Sequence, residues 1–306
     1  MKKNFLLLIV FSLIFSTLVF TPKVEASLEG NQLLTNEQFN SLLSDGMPEE
    51  VINDFIEVGY SYEEIADLEY IESEDKFYKI IEAYQDEEEV VTQKSINTAQ
   101  KNDMEEEGIV EEISYEEFIR SENSMSLNAV AENKTSYKRM TTRLFKVKKK
   151  KNVYKVTNKV YWSKAPKHRK TDIIAIGINS NTSPVPNSQW GKQSWTTMSG
   201  SESGSRTFNH KSNNWKKNKS YGLSFKMRSN RKLKAPWTRH TIYMEYNIKP
   251  NVSNVKLIDA YGHYAHQQNY KQITPSFSVK TGSISIAVSQ QSKFTHHPST
   301  HVQIKK

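Results

Sequence analysis

The feature that most constrains this chain is a reversal of charge partway along it. From Ser27 to Glu132 there are 29 acidic against 5 basic residues, a net −24; from Asn133 to Lys306 there are 34 basic against 4 acidic, a net +30. The change is concentrated between Glu105 and Lys151, where a run of glutamates gives way to Lys148, Lys149, Lys150 and Lys151. The formal charge of +8 for the whole chain is the small difference between two strongly charged halves, and all five Trp and all eight His lie on the basic side. A stretch at +30 demands an anionic partner, whether another molecule or the chain's own acidic half. Opposite charges of this size attract at low salt, and ions screen exposed pairs beyond about 10 Å.

With 306 residues the chain accommodates one large or two ordinary domains. A hydrophobic content of 36% is low, but 15 Tyr and 13 Phe supply apolar area for a core. There is no cysteine, which excludes a disulfide framework, a thiol nucleophile, cysteine metal ligation and a lipid-modified cysteine. Residues 1–26 read as a signal peptide: Lys2 and Lys3, an apolar run from Phe5 to Phe20, then Val24-Glu25-Ala26 as a cleavage site. The predicted location is secreted, with wall association open. An uncleaved N-terminal membrane anchor is the alternative, because the run approaches the roughly 20 residues a spanning helix needs.

The acidic half has helical periodicity. Thr35 with Gln38, Ser61 with Glu64 and Ser114 with Glu117 fit capping boxes, and Pro48 followed by Glu49 and Glu50 suits a helix start. Val51, Ile52, Phe55 and Ile56 recur at helical spacing until Gly59, and Phe77, Ile80, Ile81 and Tyr84 give a further apolar helical face. These signals predict a small acidic helical domain over 27–84, followed by an acidic, partly disordered linker over 85–132. Its outline resembles a helix-turn-helix, but Glu63, Glu64, Asp67 and Glu69 would repel phosphates. The half is either a solubilising segment or an intramolecular partner that covers the basic half as a pro-region or chaperone would.

Beyond Asn133 the period changes toward two. Tyr137–Val147, Val153–Trp162, Thr171–Asn179, Tyr221–Arg228, Thr241–Ile248, Val255–His266, Ile273–Lys280 and Ser283–Ser289 read as strands, with Thr281-Gly282 a hairpin turn. The predicted fold class is α+β in separate parts: the small acidic helical N-terminal domain, then an antiparallel β-sandwich over 133–306. Basic residues alternate with aromatics, as in Arg143-Leu144-Phe145-Lys146, Tyr161-Trp162-Ser163-Lys164 and Trp215-Lys216-Lys217. That mixture suits a polyanion, with cations on phosphates and rings stacked on bases or sugars. Alternation produces the same pattern when rings point inward and lysines outward.

Reactive constellations are sparse. His263 and His266 fall on opposite faces of a strand, and the zinc protease pattern of two histidines four apart with an intervening Glu is absent, so no metal and no cofactor are expected. Any carboxylate pair for glycan cleavage must come from Asp172, Glu202, Glu245 and Asp259, each of which suits a local ion pair equally well. A serine hydrolase elbow, a phosphate-cradling loop and a dinucleotide fingerprint do not occur.

The runs Tyr137-Lys138-Arg139-Met140-Thr141-Thr142, Val160 to Asp172 and Tyr261-Gly262-His263-Tyr264-Ala265-His266 resemble a group of exported proteins of Gram-positive bacteria. The resemblance implies secretion and a single domain from Asn133 to Lys306, and transfers no functional residue. The expected function is non-enzymatic binding of an anionic cell-wall polymer or other polyanion, with the acidic half as intramolecular mask or chaperone. The candidate anion-binding residues are Lys146, Lys148, Lys149, Lys150, Lys151, Lys164, Lys167, Arg169 and Lys170. Two alternatives stay open. One is an antibacterial or pore-forming toxin with an acidic pro-region, using the amphipathic Ser283–Gln290 on a membrane. The other is a cell-wall glycan hydrolase.

Overall fold

The computed structural model describes residues 34–81, 109–124, 135–166, 170–197, 203–227, 238–267, 276–287 and 294–305. All of them belong to one unit, Asn31–Lys306. Three short helices come first: α1 (Asn36–Ser44), α2 (Glu49–Val58) and α3 (Tyr62–Ala66). Thr35 and Ser61 close capping boxes with Gln38 and Glu64, satisfying amides that a helix start leaves free. Gly59 ends α2 at a φ of 105°, and its N–H donates to the Phe55 carbonyl at 2.9 Å.

The acidic segment then leaves the helical pattern. Phe77, Ile80 and Ile81 belong to the strand β1 (Leu68–Ile81), not to a further helix; Tyr84 lies outside the described residues. The aromatic and β-branched run Phe77-Tyr78-Lys79-Ile80-Ile81 satisfies both periods, and pairing decides between them. β1 runs antiparallel to β3 (Thr135–Val147) from Leu68 opposite Val147 to Ile81 opposite Thr135. A second correction falls within the expected linker. Residues 109–124 form β2 (Ile109–Ile113), paired with β1, and α4 (Tyr115–Ser124), started by Ser114 accepting from the Glu117 N–H at 3.1 Å. Phe118 of α4 packs on Phe77 with ring centroids 5.2 Å apart. The acidic segment therefore contributes strands to the main sheet, and its helices form a layer on that sheet.

The remaining strands are β4 (Tyr154–Lys164), β5 (Thr171–Ile178), β6 (Thr182–Pro184), β7 (Trp190–Thr197), β8 (Ser203–Phe208), β9 (Trp215–Asn218) and β10 (Ser220–Lys226). They are followed by β11 (Thr238–Pro250), β12 (Leu257–Gln267), β13 (Ser276–Val279), β14 (Ile284–Ala287) and β15 (Phe294–Lys305). One sheet has the order β2-β1-β3-β4-β11-β7-β8, with β6 on β11; the other is β15-β12-β5-β10-β9; β13 and β14 form a separate hairpin. Every pairing is antiparallel. The two large sheets share one apolar core that includes Met140, Val156, Val160, Ile174, Ile176, Leu223, Ile242, Met244 and Ile258. This is an antiparallel β-sandwich.

Alternation sends the other side of each strand outward, where two further layers cover it. Leu42, Ile52 and Phe55 of the helices pack on Phe145 and Val147 of β3. Phe277, Val279 and Ile284 of the hairpin pack on Ile173, Ala175 and Ala265 of the second sheet. Gly177 permits that second contact, because a Cβ there would lie 2.2 Å from the Lys280 carbonyl oxygen. β1 also joins the sheets along one side. Glu74 accepts from the His301 N–H, Glu72 from the Gln303 N–H at 2.6 Å, and the Tyr78 hydroxyl donates to the Pro298 carbonyl at 2.8 Å. Side chains of an acidic strand thus satisfy backbone groups of β15, the edge strand of the second sheet.

Candidate functional site

The outer face of the first sheet carries a row of cations, each met by the helical layer or by β1. Arg143, 3% exposed, is paired with Glu50 at 2.7 Å and with Asp54. Lys159 reaches Asp54 and Glu57 at 2.6 Å each. Arg139 is paired with Asp75 at 2.7 Å and with Glu50. Lys192 donates to the Val58 and Glu57 carbonyls at 2.9 and 3.1 Å, placing its charge on the negative end of α2. Burial alone would raise the Asp54 pKa, but Lys159 and Arg143 outweigh it and hold the carboxyl below its usual range. Nearby, Glu245 accepts from the Tyr60 and Tyr243 hydroxyls and pairs with Lys155 at 2.9 Å, fixing the end of the helical layer to the sheet.

The residues expected to bind anions do not form one patch. Lys146 pairs with Glu69 at 2.8 Å and Lys148 with Asp45 at 3.5 Å. Lys149, Lys150 and Lys151 are exposed on the β3–β4 turn, where the Lys149 N–H donates to Asp67 at 2.9 Å. Lys164 is buried, and Lys170 is half-buried beside β5. Lys167 and Arg169 lie outside the described residues. Sequence reasoning placed these residues by composition, and composition does not reveal which lysines the acidic segment will meet.

A different set is left uncompensated. Residues 203–227, spanning β8, the loop to β9, and β10, contain Arg206, Lys211, Lys216, Lys217, Lys219 and Lys226 and no carboxylate. Among the described residues none of these six is ion-paired, and all six are exposed. β8 and β9 are the edge strands of the first and second sheets. The connection between them therefore sets a band of cations along one side of the sandwich. The Lys217 amine donates to the His210 carbonyl at 2.6 Å, and the Arg206 guanidinium lies 5.0 Å from the Phe208 ring centroid.

Within the core, between the sheets, lies a polar cluster that sequence reasoning did not single out. Asp172 of β5 accepts from the Tyr264 hydroxyl, is bonded to His266 Nδ1 at 2.9 Å, and accepts from the Gln267 N–H at 3.3 Å. Trp162 Nε1 donates to the Tyr264 oxygen at 3.1 Å. Against this set sits Lys138, fully buried, its amine 4.4 Å from the Tyr78 ring centroid, 4.9 Å from Tyr264 and 5.8 Å from Trp162. The amine has no hydrogen-bond partner among the described residues, and neither ring nitrogen of His297 has one. The His297 ring lies near those of Tyr264, Tyr78 and Trp162, at centroid distances of 5.5, 5.9 and 6.3 Å. Burial pushes the Lys138 amine well below the ordinary lysine range, with Asp172 opposing the shift. Burial, then Lys138 and His266, push His297 well below the ordinary histidine range. One signal was available: Lys138 has the inward parity of Met140 and Leu144 on β3.

The described histidines and carboxylates singled out from sequence are built into the fold. His263 faces outward beneath the β13–β14 hairpin, 3.1 Å from the Thr281 carbonyl, and burial lowers its pKa to about 4. His266 faces the core. Asp259 holds His301 Nε2 at 3.0 Å and the Asn179 amide at 3.0 Å. Asp172 and Glu245 are occupied as described, and Glu202 lies outside the described residues. Among the described residues no cluster of metal-ligating side chains occurs. No described helix is long and apolar enough to cross a membrane. The apolar side of the β13–β14 hairpin, part of the stretch weighed for membrane insertion, packs on β5 and β12 of the second sheet.

No family model matches the chain, and no curated protein matches it. Among solved structures it is similar to the collagen-binding subdomain ACE19 of the Enterococcus faecalis surface protein ACE, at 8% identity and a TM-score of 0.27. That match covers 51% of this chain and 90% of that one. It is also similar to the collagen-binding domain of the Erysipelothrix rhusiopathiae surface protein RspB, at 6% identity and a TM-score of 0.27, covering 56% of this chain and 66% of that one. The collagen adhesin CNA from S. aureus gives 6% identity and a TM-score of 0.20 over the same shares. Scores this low transfer nothing to the present chain.

Proposed function

We propose that this is an exported, non-enzymatic binding protein whose cationic band over residues 203–227 engages an anionic phosphodiester polymer of the cell envelope. The observation that carries the reading is the distribution of compensation. The acidic segment meets the cations of one sheet face, through Arg139, Arg143, Lys159 and Lys192, and among the described residues the six cations of the β8–β10 stretch have no carboxylate partner. Cations displayed along a strand edge suit an extended polyanion, whose binding is driven by release of condensed counterions. The exposed turn lysines Lys149, Lys150 and Lys151 are a second contact point for a long polymer.

The acidic segment acts as a permanent cover for the first basic face, and its apolar anchors argue against release as a pro-region. Phe55 and Ile52 are buried to 3% and 0% exposure, and β1 shares its full length with β3. The non-enzymatic reading is supported by Asp172, Glu245 and Asp259, each held by neighbouring side chains and so poorly placed to exchange protons with a substrate.

The test is co-sedimentation of the mature protein with purified walls, with and without prior removal of teichoic acid, over a salt series. Substituting Gln for Lys211, Lys216, Lys217 and Lys219 together should reduce the slope of log K against log salt by about 0.7 to 0.9 per contacting charge. Binding that ignores salt, that survives teichoic acid removal, or that the fourfold variant retains in full would refute the proposal.

A further inference from the structure

The side of the sandwich where β1 meets β15 combines two features found together nowhere else among the described residues. Its backbone is held by acidic side chains, through Glu72 and Glu74 on the Gln303 and His301 amides. Just inside it lies His297, buried with neither ring nitrogen hydrogen-bonded. We propose that this seam is an acid-sensitive latch: protonation of His297 opens β15 from β1 and separates the two sheets along that side.

The argument is one of charge surroundings. Among the described residues, every element packed against His297 brings a ring or a cation, and no carboxylate faces it unoccupied. β1 supplies the Tyr78 ring, β4 Trp162 and β12 Tyr264, while Lys138 of β3 and His266 of β12 act on it as like charges. β15 itself adds His296 alongside, a further like charge when protonated. Asp172 on β5 is the nearby anion, and Tyr264, His266 and the Gln267 amide already occupy it. Glu74 and Glu112 lie near the Tyr78 hydroxyl, but Glu74 is engaged with the His301 amide and Glu112 with Lys76 at 3.6 Å. A proton added to His297 would therefore sit beside Lys138 with no free anion to balance it, whereas in an opened seam the ring is solvated and protonates normally. The folded pKa is depressed, so opening takes up a proton at any pH between the folded value and the ordinary value of about 6.5. Opening is then favoured as pH falls through that window.

Amide hydrogen exchange of the full chain at several pH values, corrected for intrinsic rates, tests this. For residues 294–305 the opening constant should rise by about tenfold for each pH unit below about 6.5, the slope of one proton taken up. The amides of β10, on the far side of the second sheet, should not share that slope. His297→Phe and His297→Gln should each flatten it, Phe by filling the apolar site and Gln by keeping a polar side chain that does not titrate. No pH slope at β15, an equal slope at β10, or a slope that persists in whichever variant folds would overturn the proposal. A normal slope alongside failed wall binding would leave the latch standing and refute only the polymer reading.

Discussion

Lys138→Met is the most informative single substitution, because it removes a buried amine while keeping the length of its stem. In the unfolded chain the amine is protonated at pH 7. Entering the core as a neutral amine costs about 1.4 kcal/mol for each pH unit between 7 and its ordinary value near 10.4, a ceiling of about 4.6 kcal/mol. Entering as a cation avoids that cost but incurs desolvation, offset by three aromatic faces within 5.8 Å and by Asp172. The two routes bracket an expected gain for Met of about 1 to 4 kcal/mol at pH 7, in line with other replacements of buried ionic groups by apolar ones. The sign follows from linkage. The folded pKa is depressed, so the unfolded state holds the extra proton and the lysine's penalty is largest at low pH, disappearing as pH rises toward 10.4. Urea unfolding at pH 7 and at pH 9.5 should therefore show a higher midpoint for the variant at pH 7 and a smaller difference at pH 9.5. A variant less stable than wild type at pH 7, or a difference independent of pH, would refute the reasoning and mean that the amine makes a net favourable contribution.

Two further outcomes follow from the helical layer. Phe55→Ala, which removes a 3%-exposed ring from contact with Tyr60 and Phe145, should cost about 3 to 5 kcal/mol. Thermal unfolding should remain a single transition, since a layer joined to the sheet by β1 does not melt alone. Asp54→Asn should cost about 2 to 4 kcal/mol at neutral pH by weakening the contacts to Arg143 and Lys159. Because Asp54 titrates below the ordinary carboxylate value near 3.9, the difference from wild type should hold constant from pH 8 to 5 and shrink only below about 4, as read by denaturant titration.

Local features of the fold were legible in the chain because short-range chemistry dictates them. The two capping boxes, the Gly59 stop and the Thr281-Gly282 hairpin occur where sequence places them, each depending on residues at most a few positions apart. Eight strands of the basic half carried enough β-branched and aromatic residues to be recognised. β7 (WGKQSWTT), β8 (SGSRTF) and β9 (WKKN) did not, being polar and, in β7 and β8, glycine-bearing, and they gain their state from pairing with stronger neighbours. β15 was missed for a related reason: FTHHPSTHVQIK contains a proline and three histidines, and β12 holds it on one side while β1 side chains hold it on the other.

What the sequence determined alone was the reversal of charge, the cysteine-free chemistry, the helix ends and the alternation that makes a sandwich. It also dictated that opposite charges would seek each other, since Coulomb attraction between segments at −24 and +30 needs no fold to exist. Only the tertiary structure decided which charges met. Long-range pairing of β1 with β3 carried Asp75 to Arg139, and packing of Phe55 on Phe145 carried Asp54 and Glu57 to Lys159. The same placement left the cations of residues 203–227 without an ion-pair partner among the described residues and enclosed Lys138 and His297 between two sheets. Composition counts charges, whereas burial and distance assign their partners, and both depend on contacts between residues far apart in the chain.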